Sequence, residues 1–115
     1  MNKILGRQGE DQAARFLEAQ GYRIVSRNLT TRFGEIDLVA QDQGVLVFVE
    51  VKARSTTEFG TPAEAVTLAK LAKIRRVIAD FVAHSHWSGP VRFEVVAILK
   101  AGRPQLIREI EFIDR

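Results

Sequence analysis

Two β-rich runs, FGEIDLVAQ (33–41) and VLVFVEVKAR (45–54), are joined by a connection so short that it leaves them one arrangement. Gln43-Gly44 is a two-residue hairpin signal, and a hairpin makes the strands antiparallel and fixes their register. Counting outward from Asp42 opposite Val45 sets Asp37 opposite Glu50 and Glu35 opposite Lys52. Side chains alternate with period two, so Leu46, Phe48, Glu50 and Lys52 share one face, and Glu35, Asp37 and Val39 share one face of the preceding strand. Two carboxylates opposed across a half-buried ladder repel each other, and something positive belongs between them. A divalent cation bridged by both fits, with Lys52 one pleat further on, where a phosphate and an attacking water would lie.

The rest of the chain supplies a frame for that hairpin. Residues 7–20 favour helix, with Gly21 as its stop, and YRIVSRNL alternates as a strand. Thr61, Pro62 and Glu64 form a capping box that opens a second helix running to about His84. VRFEVVAILK (91–100) is a fourth strand, and PQLIREIEFI (104–113), mixed in pattern, is a candidate fifth. The order is α-β-β-β-α-β, with one further β as an option.

A length of 115 residues with 46% hydrophobic content suits one domain, residues 1–115, with a core of its own. No apolar run approaches the length of a membrane span, and MNKILGRQGE has no signal-peptide pattern, so a soluble cytoplasmic protein without a membrane partner is expected. Zero cysteines exclude disulfides, a thiolate zinc site and a cysteine nucleophile. Seventeen Lys plus Arg against fourteen Asp plus Glu give a charge of +3, which favours polyanionic partners without demanding them.

Asp37, followed after twelve residues by Glu50-x-Lys52 on an adjacent strand, resembles the PD-(D/E)xK nuclease signature, with Ile36 where the motif usually has proline. The stretch from GRQGEDQAARFLEAQGY through NLTTRFGEIDLVAQDQGVLVFVEVKARSTTEFGTPAEAV resembles the bacterial YraN family, and RFEVVAI resembles a further block. That family is regarded as endonuclease-like, with distant similarity to archaeal Holliday junction resolvases. The resemblance implies a restriction-endonuclease-like α/β fold, a central mixed sheet flanked by helices, and a Mg2+- or Mn2+-dependent site acting on DNA. Where the family usually reads Arg-Phe-Asp, this chain has Arg92-Phe93-Glu94.

By resemblance and chemistry together, Asp37, Glu50 and the Val51 carbonyl are the expected metal ligands, and Lys52 holds or activates the attacking water. The competing reading makes Glu50 and Lys52 a solvated edge-strand ion pair worth at most about 1 kcal/mol. Glu10 shares a helix face with Ala13, Ala14 and Leu17 and is either a further metal or water ligand or a first-turn glutamate favoured by the helix dipole. Glu35 is either an ion-pair partner for Lys52 or a ligand.

Lys70, on the face of Val66, Ile74 and Val77, is the expected phosphate contact, while Lys73, Arg75 and Arg76 read as solvated charges. Arg7, Arg54 and the loop STTEFGTP could line a nucleic-acid channel by position. His84 and His86, without acidic partners nearby in sequence, suit capping better than metal binding, and Trp87 suits anchoring a turn better than stacking on a base. A homodimer would match two related phosphates, and LIREIEFI could pair with a neighbour or cover a sheet edge.

Overall fold

The computed structural model describes residues 3–54, 68–99 and 104–110, with side chains over 9–52 and 68–98. Its elements are α1 (Lys3–Ala19), β1 (Arg23–Thr31), β2 (Gly34–Asp42), β3 (Val45–Arg54), α2 (Leu68–Ser85), β4 (Val91–Leu99) and β5 (Pro104–Ile110). The strands form one mixed five-stranded sheet in the order β1-β2-β3-β4-β5. Only the β3–β4 pair is parallel, because α2 lies between those strands in the chain and carries it back to the same end of the sheet. This is the α/β architecture that the sequence implies, with the optional last strand present. β5 pairs antiparallel with β4 in the same chain, so that segment covers an edge.

Each helix covers one face of the sheet. Ala13, Ala14 and Leu17 of α1 pack on Leu38, Ala40, Val47, Val49, Val96 and Ile98. Ile74, Val77 and Ile78 of α2 pack on Val39, Leu46, Phe48, Phe93 and Val95. β3 is covered on both faces, which explains the unbroken apolar run from Leu46 to Val49, all of it buried. Its alternation holds as expected, with Val47 and Val49 under α1 and Leu46 and Phe48 under α2.

Two turns set the frame. α1 ends in a Schellman motif: Gly21 takes φ 95°, Tyr22 N–H donates to Leu17 O at 3.0 Å, and Gly21 N–H donates to Glu18 O at 3.0 Å. Gln43 (φ 50°) and Gly44 (φ 84°) form the type I′ turn that pairs Asp42 with Val45, as the loop length requires. The capping box at Thr61, Pro62 and Glu64 and the loop STTEFGTP lie outside the described residues.

Under α1 the sheet holds a buried polar knot. Glu94 is 0% exposed and accepts from the Tyr22 hydroxyl at 2.8 Å and from Arg92 Nε. Arg92 also donates to the Tyr22 oxygen at 2.9 Å and to Asp42 Oδ2 at 2.8 Å. Burial works against the guanidinium charge, but the hydrogen bond to Asp42 and the neighbouring Glu94 outweigh it and hold Arg92 above its ordinary range. Burial, then the Glu94 bond, raises Tyr22, which keeps its proton and donates it. The glutamate at position 94 therefore belongs to the core.

The carboxyl end of α2 is tied locally. Trp87 Nε1 donates to Pro90 O at 3.0 Å and its ring packs under α2, so it anchors the turn before β4. His84 does have an acidic partner one turn back: its Nδ1 lies 2.8 Å from Asp80 O and 3.6 Å from Asp80 Oδ1. Helical spacing brings that aspartate near, and His84 bonds back to the last turn of the helix.

Candidate active site

The β2–β3 ladder begins at the turn and ends with Leu38 opposite Val49, one step short of Asp37 and Glu50. At that step the β1–β2 ribbon turns over. Arg27 pairs with Leu38 and Leu29 with Ile36, while the residues between them, Asn28 and Asp37, are not paired with each other, and Asn28 takes φ 53°. Leu38 packs under α1, whereas Ile36 and Leu29 pack under α2. The expected shared face of Glu35, Asp37 and Val39 is thus corrected: Ile36 joins Val39, and simple alternation fails through Asp37. Asparagine tolerates the left-handed region better than most residues, which is why it can occupy this position.

The turnover aims Asp37 at β3. Its Oδ2 accepts the backbone N–H of Val51 at 2.7 Å, so a side chain takes a donor that the ladder would otherwise use. Glu50 follows on the α2 side. Its Oε1 lies 2.9 Å from Lys70 Nζ and 3.3 Å from Lys52 Nζ, and its Oε2 is buried and accepts no hydrogen bond among the described residues. Burial of a carboxylate oxygen without a donor among the described residues is costly, and such a group calls for a partner.

Glu10 approaches from α1. Its carboxylate accepts a hydrogen bond from the Asn28 side chain and feels the charge of Asp37, while Asp11 and Arg27 form an ion pair that ties α1 to β1. Lys52 finds its carboxylate in Glu50 rather than in Glu35, which is exposed on β2. Arg7 lies in α1, and Arg54 ends β3 opposite Leu99, but their side chains fall outside the described set. The structure therefore gathers Asp37, Glu50, Val51, Lys52 and Lys70, brings Glu10 near, and adds Asn28, which the sequence reading missed. The signal that could have found it was an asparagine in the middle of a β-rich run.

Several groups of the site depart from their ordinary pKa values. Burial first, then Glu50, raises the Asp37 carboxyl above its ordinary range, opposed by the Val51 bond and Lys52. Burial first, then Asp37, raises Glu10. Burial, then the neighbouring Lys70, lowers Lys52, whereas Lys70 keeps its proton in the closer ion pair with Glu50. Shifted titratable groups gather at functional sites, and buried structural networks such as that of Arg92 and Tyr22 shift theirs too.

A stability consequence follows from Asp37. A carboxyl raised on folding contributes stability below its unfolded pKa, near 3.8, and that contribution is lost as pH rises through the folded value. Asp37→Asn, which can still accept from Val51, is expected to gain thermal stability relative to the native chain as pH climbs from about 3.5 to 7. Melting curves of both proteins across that range check it, and a gap that does not widen with pH would remove the reading.

Hard oxygen donors are what this arrangement offers a metal. Asp37, the buried Oε2 of Glu50 and the carbonyl of Val51 are oxygen donors of the kind that Mg2+ or Mn2+ takes, ions that commonly bind one or two carboxylates and keep several waters. Among the described residues no three acidic or histidine side chains converge tightly enough to hold an ion by themselves.

The model of an uncharacterised protein family, UPF0102, matches residues 9–98. The chain belongs to the UPF0102 family. A UPF0102 protein of Symbiobacterium thermophilum is 50% identical over 99 residues, covering 85% of this chain and 84% of that one. A UPF0102 protein of Rhodococcus opacus is 49% identical over 106 residues, covering 90% and 89%, and one of Frankia casuarinae is 54% identical over 95 residues, covering 82% and 80%. UPF0102 is the YraN-like family that the sequence resembles. Its matched segment contains Glu10, Asn28, Asp37, Glu50, Lys52 and Lys70, so the whole candidate site lies within the part shared with UPF0102 relatives. Among the described residues no helix is long and apolar enough to cross a membrane.

Proposed function

We propose that this UPF0102 chain is a metal-dependent nuclease that hydrolyses DNA phosphodiester bonds, with branched or repair intermediates as the substrates of interest. One observation carries the reading: Glu50 buries an oxygen without a donor among the described residues, near Asp37, which is bonded to Val51 N–H, and near Lys52. Glu50 and Lys52 as a mere solvated pair would not require that buried, bare acceptor. Asp37, Glu50 and Val51 would hold the ion, which when bound supplies Lewis-acid polarisation of the scissile phosphate.

The chain's own groups do the remaining work. Lys52, shifted toward its neutral form, can hold the attacking water by hydrogen bonding and take up its proton. Lys70, from α2, can balance charge that builds on the phosphoryl oxygens. Glu10, kept in place by Asn28, can orient a water on the α1 side. Arg7 and Arg54 are proposed to contact the DNA backbone, in line with the charge of +3. A twofold dimer would present two such sites to two related phosphates.

The test is a panel of linear duplex, single-stranded and four-way branched DNAs, each incubated with Mg2+ or Mn2+, with Asp37→Ala as control. Cleavage that requires the ion and disappears in the control supports the nuclease. Binding without cleavage under every ion would make the protein a nucleic-acid-binding module on a nuclease-like fold, and equal cleavage by the control would point to a contaminant.

A further inference from the structure

Two ammonium groups on one carboxylate oxygen exceed what Glu50 needs for neutrality. Lys70 Nζ, at 2.9 Å, is the closer, and Lys52 Nζ, at 3.3 Å, is a second nitrogen on that same oxygen. Meanwhile the other oxygen of the same carboxylate is buried and bare among the described residues. Lys52 is fixed one pleat from Glu50 on the same strand, whereas Lys70 reaches in from α2 on a long stem and is 34% exposed. A divalent ion arriving here would meet two like charges, and the less confined of them is Lys70.

We propose that Lys70 and the divalent ion are alternative occupants at Glu50, so that loading the ion releases the Lys70 ammonium to the substrate phosphate. The inference rests on the nuclease reading and adds a coupling to it. In the ion-free chain Lys70 is the resident counter-ion of Glu50. When the ion takes that role, Lys70 leaves Glu50 and its ammonium turns to a substrate phosphate. Thermodynamic linkage then makes the effect reciprocal: the ion favours phosphate binding through Lys70, and phosphate held by Lys70 favours the ion. Lys70 acts on the ion through Glu50 and is a positioning residue in that respect.

The coupling separates two measurements that a plain phosphate contact would leave unlinked. Mn2+ binding by isothermal titration calorimetry is compared for the native chain, Lys70→Met and Lys73→Met. Lys73 is exposed on the same helix and supplies the control for losing one positive charge. Lys70→Met is expected to bind Mn2+ at least about fivefold more tightly than the native chain, the lower end of typical couplings. Lys73→Met should change it by less than about twofold, because solvent and salt screen an exposed charge. Lys52 remains as partner for Glu50 in Lys70→Met, so the variant is not left with an uncompensated carboxylate.

Fluorescence anisotropy with a labelled DNA duplex, with and without Ca2+ in place of Mg2+, supplies the second measurement. Ca2+ should tighten DNA binding by the native chain, and that gain should vanish in Lys70→Met. If Lys70→Met binds Mn2+ no better than Lys73→Met, or keeps the full Ca2+-linked gain, the exchange of occupants is wrong while the nuclease reading stands. If Mn2+ binds neither the native chain nor Lys70→Met, the exchange and the metal-dependent nuclease fall together.

Discussion

Glu50→Gln is expected to lower ion-dependent DNA cleavage by at least about a thousandfold, and Lys52→Met by a comparable factor, while affinity for DNA stays within about threefold. The glutamine keeps the length of the side chain but loses the charge that the proposed ion site needs. Lys52→Met keeps the stem and removes the nitrogen that the nuclease reading places beside the attacking water. Binding survives because backbone phosphates are held mainly by cations elsewhere. The double variant should be little worse than either single one, since residues acting as a unit give non-additive losses. Single-turnover cleavage of a labelled duplex, with circular dichroism to confirm folding, checks all three. A Glu50→Gln protein that still cuts at a tenth of the native rate would end the assignment of Glu50 as an ion ligand.

The second large effect concerns stability. Arg92→Met is expected to destabilise the fold by about 3–5 kcal/mol, because it strips a charged partner from a glutamate that is 0% exposed. For a domain of this size that lowers the melting temperature by roughly 10 °C or more. Asp42 also loses a partner, but it is nearer solvent and adds less. Replacing the knot as a whole, with Arg92→Met, Glu94→Leu and Tyr22→Phe together, should recover most of the loss. Breaking a buried pair is costly, whereas exchanging it for well-packed apolar groups is often close to neutral. Urea unfolding of the single and triple variants decides the matter, and a loss below about 1 kcal/mol for Arg92→Met would mean that the knot is solvated in practice.

The two regimes of this molecule differ in how openly the sequence declares them. Where the chain is regular, local chemistry sufficed. Gln43-Gly44 set the register of Asp42 and Val45, the alternation of β3 placed Glu50 and Lys52 on the α2 side, and Gly21 closed α1. Lys70 was assigned to the inner side of its helix by spacing, and there it meets Glu50. What period-two counting missed was a break in its own premise. At Asn28 and Asp37 both strands reverse their faces, and nothing in local hydrophobicity announces that, since Leu29, Ile36 and Leu38 are equally apolar. Glu94 escaped for a different reason. Its partners Tyr22 and Asp42 are distant in sequence, so its place in a core network becomes visible only when β4 has been laid beside the rest of the sheet. Asp80 beside His84 was legible by helical spacing and was missed when only nearby acidic residues were sought.

The turnover at Asn28 and Asp37 also bears on how portable this chemistry is. A short hairpin spanning β2 and β3 would carry Asp37, Glu50 and Lys52 intact in sequence, yet the acid on β2 reaches β3 only because the β1–β2 ribbon reverses beside it. From one side it is addressed by Glu10 of the first helix, and through Glu50 from the other by Lys70 of the second. Transplanting the three signature residues onto another sheet would thus move the letters and leave their geometry behind. The smallest transferable unit is the reversed ribbon together with both layers that close on it.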